Sequence, residues 1–216
     1  MIKGAIFDVD GTLLDTMPLW RASAGKYLET LGIDADPAQN RRFFTLTVAE
    51  SAELLRSEYG LKQSVEQISD GIRRAVVAGY REDAPLKPGA GEFLKSLAER
   101  DVPMSIVSSG SVYLIRAAFE RLGIDQYFSS YFTAAETGLH KREPTMVLAA
   151  ADSIGVTPKD AWVFEDALYA VNVAKAVGFH TVGIADALSV DEAGDLAAAT
   201  EAFWHEYPST IPDIML

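Results

Sequence analysis

Two aspartates two residues apart, Asp8 and Asp10, close a short apolar run and are followed by Gly11, Thr12, Leu13 and a third acid, Asp15. A carboxylate delivered by a buried strand can act as a nucleophile, a ligand for a hard cation or a proton carrier. An acidic turn that merely caps the next helix does not ask for acid, spacer, acid, glycine and threonine in that order. Other chemistry-bearing residues recur farther along: Ser108 and Ser109 after Ile106-Val107, Lys141 in Lys-Arg-Glu-Pro, and the pair Glu165-Asp166 closing Val-Phe-Glu-Asp. Carboxylates together with an ammonium and a hydroxyl suit reactions of an anionic centre, where like charges need a cation between them.

Short apolar runs must deliver these residues. Residues 2–7, 104–107, 131–134, 161–164 and 181–184 read as buried strands, and helical spacing separates the later ones. Phe93, Leu94 and Leu97 follow Pro88-Gly89; Leu114, Ala118 and Leu122 precede Gly123; Val147, Leu148 and Ala151 precede Gly155. Strand and helix alternation of this kind predicts a doubly wound, Rossmann-like α/β core on a parallel sheet, with the chemical residues at the carboxyl ends of its strands. From Asp15 to about Ala84 only helical periodicity remains, as in Trp20, Ala24, Tyr27 and Leu31, then Val65, Ile68, Ile72 and Val76. The expected organisation is a core of residues 1–15 and 85–216 with an all-helical cap inserted at 16–84. Residues 15–18 and 82–89, the latter with Pro85, Pro88 and Gly89, serve as paired hinges. The alanine-rich residues 193–202 read as a surface helix.

The segment Asp-Val-Asp-Gly-Thr-Leu-Leu-Asp, residues 8–15, resembles the first motif of the haloacid dehalogenase superfamily, and the segments at Ser108, Lys141 and Glu165-Asp166 follow in that family's order. The resemblance implies that Asp8 is the nucleophile of phosphoryl transfer and forms an aspartyl-phosphate. It implies that Asp10 is the general acid and base, oriented with help from Thr12. Mg²⁺ would be held by the Asp8 carboxylate, the Asp10 main-chain carbonyl and Asp166, with Glu165 as an acid behind the metal. Ser108 and Lys141, with main-chain N–H groups near Val9 and Ser109, would bind the phosphoryl oxygens. The helical insertion resembles the small cap of the β-phosphoglucomutase and phosphoglycolate phosphatase branch, where cap residues choose the substrate; the candidates here are Trp20, Thr45 and Thr47. Trp20 and Val48 stand where the mutase has a histidine and a sugar-phosphate-binding arginine. After Lys141 the family usually continues with proline, any residue, proline and aspartate, whereas Arg142, Glu143, Pro144 and Thr145 follow here, with Thr145 expected to cap a helix. Ala167 and Ala170 occupy positions where a hydroxyl residue and a glycine are common.

Composition narrows the classes further. Of 216 residues, 49% are hydrophobic and 23% charged, enough to bury one core without disulfides. With Lys plus Arg at 19 against Asp plus Glu at 31, the net charge of −12 repels nucleic acid and anionic lipid surfaces. The absence of cysteine excludes a disulfide framework, a thiol nucleophile and a thiolate metal site. No apolar run reaches the length of a membrane span, so a cytoplasmic protein is expected; the resemblance implies a small phosphorylated metabolite as its partner, and a monomer or weak dimer is expected. The function expected is Mg²⁺-dependent hydrolysis of a small phosphate monoester. A sugar phosphomutase shares the first half-reaction, a dehalogenase would need neither the metal nor Asp10, and a non-catalytic binding protein could keep the fold for phosphorylated ligands.

Overall fold

The computed structural model describes residues 1–34, 46–186 and 190–216, and the chain forms two compact units, residues 1–15 with 85–216 and residues 16–84. The larger unit is built on a six-stranded, wholly parallel sheet. Its strands are β1 (Gly4–Phe7), β2 (Met104–Ser108), β3 (Phe128–Thr133), β4 (Ala161–Glu165), β5 (His180–Ile184) and β6 (Ala202–Trp204), in the order β3-β2-β1-β4-β5-β6. β1, β2 and β4 are buried along their whole length, which is why their sequences are continuous apolar runs rather than alternating ones.

Alternate residues of these strands serve opposite faces. Ile6, Val107 and Val163 pack with Met146, Val147 and Ala150 of the helix Thr145–Ser153 and with Ala174 of the helix Leu168–Ala176. On the other side Phe7 stacks on Phe164 at 4.4 Å, and Phe164 meets Phe93, Trp204 and Tyr207. Gly89 adopts φ +77°, and a Cβ there would fall 2.2 Å from the Tyr207 carbonyl oxygen, so only glycine lets the C-terminal segment approach the start of the helix Ala90–Ala98.

The sheet differs from the sequence expectation at two places. β3 begins at Phe128, ahead of the apolar run at 131–134, because its polar residues have partners: the Ser130 hydroxyl lies 2.8 Å from that of Ser105 and 2.7 Å from that of Ser153. The alanine-rich helix stops at Ala199, the backbone extends at Thr200, and residues 202–204 form β6 beside β5. A three-residue edge strand is too short to carry a readable period. Thr145 is likewise not a cap but the first helical residue, after Pro144.

In the smaller unit, numbering helices along the chain, α1 (Met17–Thr30), α2 (Val48–Glu58) and α3 (Val65–Glu82) share an apolar cluster of Ala24, Tyr27, Leu28, Ala52, Leu55, Ile68 and Ile72. Capping boxes start α2 (Thr47 with Glu50) and α3 (Ser64 with Gln67).

Candidate active site

β1 ends beside β4, at the point in the sheet order where connections turn to opposite sides, and such switch points open a crevice at the carboxyl ends of the strands. The Asp8 amide donates to the Phe164 carbonyl at 3.0 Å, which fixes the first carboxylate next to the end of β4. The chain then doubles back tightly: the Val9 carbonyl accepts from the amides of Thr12, Leu13 and Leu14, and Gly11 takes φ +82°, a conformation costly for a residue with Cβ. Asp8 is buried and Asp10, two residues on, only partly so.

Three strands contribute the rest. Lys141 Nζ donates to Asp8 Oδ1 at 2.6 Å and is in ionic contact with Glu165 Oε1. Glu165 Oε2 accepts from the Ala167 amide at 2.8 Å. Asp8, Glu165 and Asp166 each present a carboxylate oxygen within 4.8 Å of the others. Thr12 Oγ1 reaches Asp166 Oδ1 at 3.4 Å, so its hydroxyl touches the third carboxylate. Ser108 is buried at the end of β2, with its Oγ accepting from the Gly110 amide at 3.0 Å. Asp10 Oδ2 and Ser108 Oγ both border Gly110, where an added Cβ would lie 3.5 Å and 3.4 Å from them. Ser109, next to Ser108, is exposed.

The electrostatics follow from this crowding. Burial works against the Lys141 ammonium, but the facing Asp8 and Glu165 charges outweigh it and hold its pKa above the ordinary lysine value. Burial, with the Asp8 charge, pushes Glu165 upward, while Lys141 pulls it back. Burial and the Glu165 and Asp8 charges push the Asp166 carboxyl well above the usual range. Lys141 thus pairs with two of the three carboxylates, and the second Asp8 oxygen, Oδ2, is buried with no hydrogen-bond partner among the described residues. An orphaned carboxylate oxygen among hard acidic donors fits a small divalent cation, which would supply both the missing partner and the missing charge.

The sequence residues assigned to the smaller unit lie in different settings. Trp20 is half-buried, its Nε1 3.4 Å from Tyr80 Oη, and it borders a cavity of about 350 Å³ together with Met17, Ser23, Val48, Ser51 and Ile72. The Thr47 side chain is occupied by the capping box of α2. Thr45 lies outside the described residues.

Two residues near the carboxylates had no signal in the sequence. Tyr207 is buried, donates to the Thr12 carbonyl at 3.3 Å, and has its hydroxyl pushed well above its ordinary pKa by burial and by Asp8, Asp166 and Glu165. Tyr169, three residues beyond Asp166, is half-exposed, with the Arg142 guanidinium carbon 4.6 Å from its ring centroid. Nothing in local spacing links positions 12 and 207 or 142 and 169.

The chain is 30% identical over 215 residues to validoxylamine A 7'-phosphate phosphatase of Streptomyces hygroscopicus subsp. limoneus, covering 97% of this chain and 100% of that protein. It is 29% identical over 185 residues to fructose-1-phosphate phosphatase YqaB of Escherichia coli (strain K12), covering 84% and 95%. The crystal structure of CbbY from Rhodobacter sphaeroides in complex with phosphate shares the fold, with a TM-score of 0.73 at 20% identity over 95% of both chains. The family model described as haloacid dehalogenase-like hydrolase matches residues 5–184, and the chain belongs to that family.

Proposed function

We propose that this protein is a phosphatase that hydrolyses a small phosphate monoester through an aspartyl-phosphate on Asp8. The observation that carries the reading is the divided environment of Asp8: Oδ1 is held by Lys141, and Oδ2 is buried without a partner near Glu165 and Asp166.

A carboxylate fixed in this way is oriented for in-line attack while its charge is balanced from one side. Asp8 forms the new O–P bond as the ester O–P bond breaks, and Asp10 gives its proton to the departing alkoxide. Asp10 then takes a proton from water, whose oxygen attacks phosphorus and releases orthophosphate and the free Asp8 carboxylate. Lys141 and Ser108 stabilise the charge that spreads over the phosphoryl oxygens. Asp8, Asp166 and the Asp10 main-chain carbonyl are the groups that would hold Mg²⁺, which when bound supplies the positive charge that lets one anion approach another. Glu165 keeps Lys141 beside Asp8 by pairing with it. The helical unit of residues 16–84 is the cap in this reading, and Trp20 and the cavity it borders are its substrate-facing candidates.

The relatives named as phosphatases of validoxylamine A 7'-phosphate and of fructose 1-phosphate support a small metabolite as substrate. The test is release of orthophosphate from sugar phosphates, phosphoglycolate, nucleotides and an aryl phosphate, with and without Mg²⁺. We expect turnover that EDTA and Asp8→Asn each abolish. Turnover independent of both removes the proposal, and conversion of a hexose 1-phosphate to its 6-phosphate without orthophosphate release replaces it with a mutase.

A further inference from the structure

Every carboxylate of the crevice described above has a use in the proposed reaction, and so does Lys141. Arg142 has none. It follows Lys141 directly, is exposed, and lies over the Tyr169 ring with its guanidinium carbon 4.6 Å from the centroid. Among the described residues it makes no ion pair, whereas its neighbour Lys141 faces two carboxylates. In a chain of net charge −12, an arginine left without a carboxylate beside an acidic site is an unusual placement.

The stack also fixes where that charge sits. Tyr169 is carried by the helix Leu168–Ala176, which begins just after Asp166. Arg142 and Tyr169 therefore join the segment that carries Lys141 to the helix that follows Glu165 and Asp166. A guanidinium held over an aromatic face by cation–π attraction keeps N–H donors for an anion, and its fork suits bidentate bonding of a carboxylate or phosphate.

Resting on the phosphatase reading of the same site, we infer that Arg142, positioned by Tyr169, is a specificity-determining residue that binds a second anionic group on the substrate. The preferred substrates are then phosphate esters that carry a carboxylate or a second phosphate, rather than esters of neutral alcohols. Arg142 takes no part in the bond changes at phosphorus.

Binding is measured by titration calorimetry on the Asp8→Asn protein with Mg²⁺, which removes turnover, using phosphoglycolate, fructose 1,6-bisphosphate and ethyl phosphate as probes. Adding Arg142→Ala should weaken the acidic probes about tenfold or more relative to ethyl phosphate, the scale of one charge-assisted contact. Arg142→Lys should recover part of the loss. A loss confined to phosphoglycolate assigns the second group as a carboxylate, and one confined to the bisphosphate assigns it as phosphate. Equal weakening of all three probes, no weakening of any, or no binding of any overturns the inference. In the Asp8 protein the same substitution should raise KM for the acidic esters with kcat little changed. Orthophosphate release by the Asp8 protein across the substrate panel given above judges the phosphatase reading by itself, so either conclusion can fail without the other.

Discussion

Tyr207 and Thr12, 195 residues apart in the chain, are joined by a hydrogen bond of 3.3 Å from the tyrosine hydroxyl to the threonine main-chain oxygen. The C-terminal segment thereby braces the turn that carries Asp8 and Asp10, from beneath three carboxylates. Tyr207→Phe keeps the ring against Phe93 and Trp204 and removes only the hydroxyl. The expected loss is about 1 kcal/mol in urea denaturation with an unchanged m-value. A variant as stable as the parent would show that the bond contributes nothing.

Lys141 is the cation that makes two buried carboxylates tolerable side by side. Lys141→Met leaves Asp8 and Glu165 facing each other and should lower stability by about 3–5 kcal/mol, as expected when one partner of a buried pair is removed. Orthophosphate release should vanish with it. Denaturation curves that superimpose on those of the parent protein would contradict this account of the site.

A divalent cation should stabilise the folded protein, because it relieves repulsion among Asp8, Glu165 and Asp166. With Mg²⁺ at about a hundred times its dissociation constant the gain is about 2.7 kcal/mol. Thermal melts with Mg²⁺ and with EDTA measure it. Asp166→Asn should reduce the metal-dependent gain, and an equal shift in that variant would place the ion elsewhere.

The capping box of α2 yields a pH dependence. Thr47 bonds to the Glu50 carboxylate from its side chain and its main chain, and these bonds lower the folded-state pKa of Glu50 below the ordinary 4.5. Between the two pKa values the unfolded chain binds more protons, so stability rises with pH there. The stabilisation is present above pH 4.5 and is lost as the pH falls through the lowered value. Denaturation of Glu50→Gln and the parent protein should therefore converge in acid. Thr47→Ala should cost about 1 kcal/mol at neutral pH. A change in KM without that loss would instead mark Thr47 as a substrate contact.

Much of this site could be read along the chain because its chemistry is concentrated at strand ends. Asp8, Asp10, Ser108 and Glu165-Asp166 each follow a buried apolar run, and a strand buried on both faces announces itself by composition alone. Lys141 follows no such run directly and was found through its order among the other segments. β6 escaped because three residues at a sheet edge show no period, and the start of β3 escaped because serines interrupt it, their hydroxyls satisfied by Ser105 and Ser153.

Residue types and their local spacing determined that this chain has a parallel core, a helical insertion and carboxylates at the ends of its buried strands, since strand burial and turn chemistry act over a few residues. Only the tertiary structure decided that Lys141 pairs with Asp8 and Glu165, that Tyr207 braces Thr12, and that Arg142 lies over Tyr169. Those contacts join segments tens to hundreds of residues apart. They exist because the sheet order brings β1 beside β4 and the C-terminal segment back under both, a juxtaposition that no local pattern encodes.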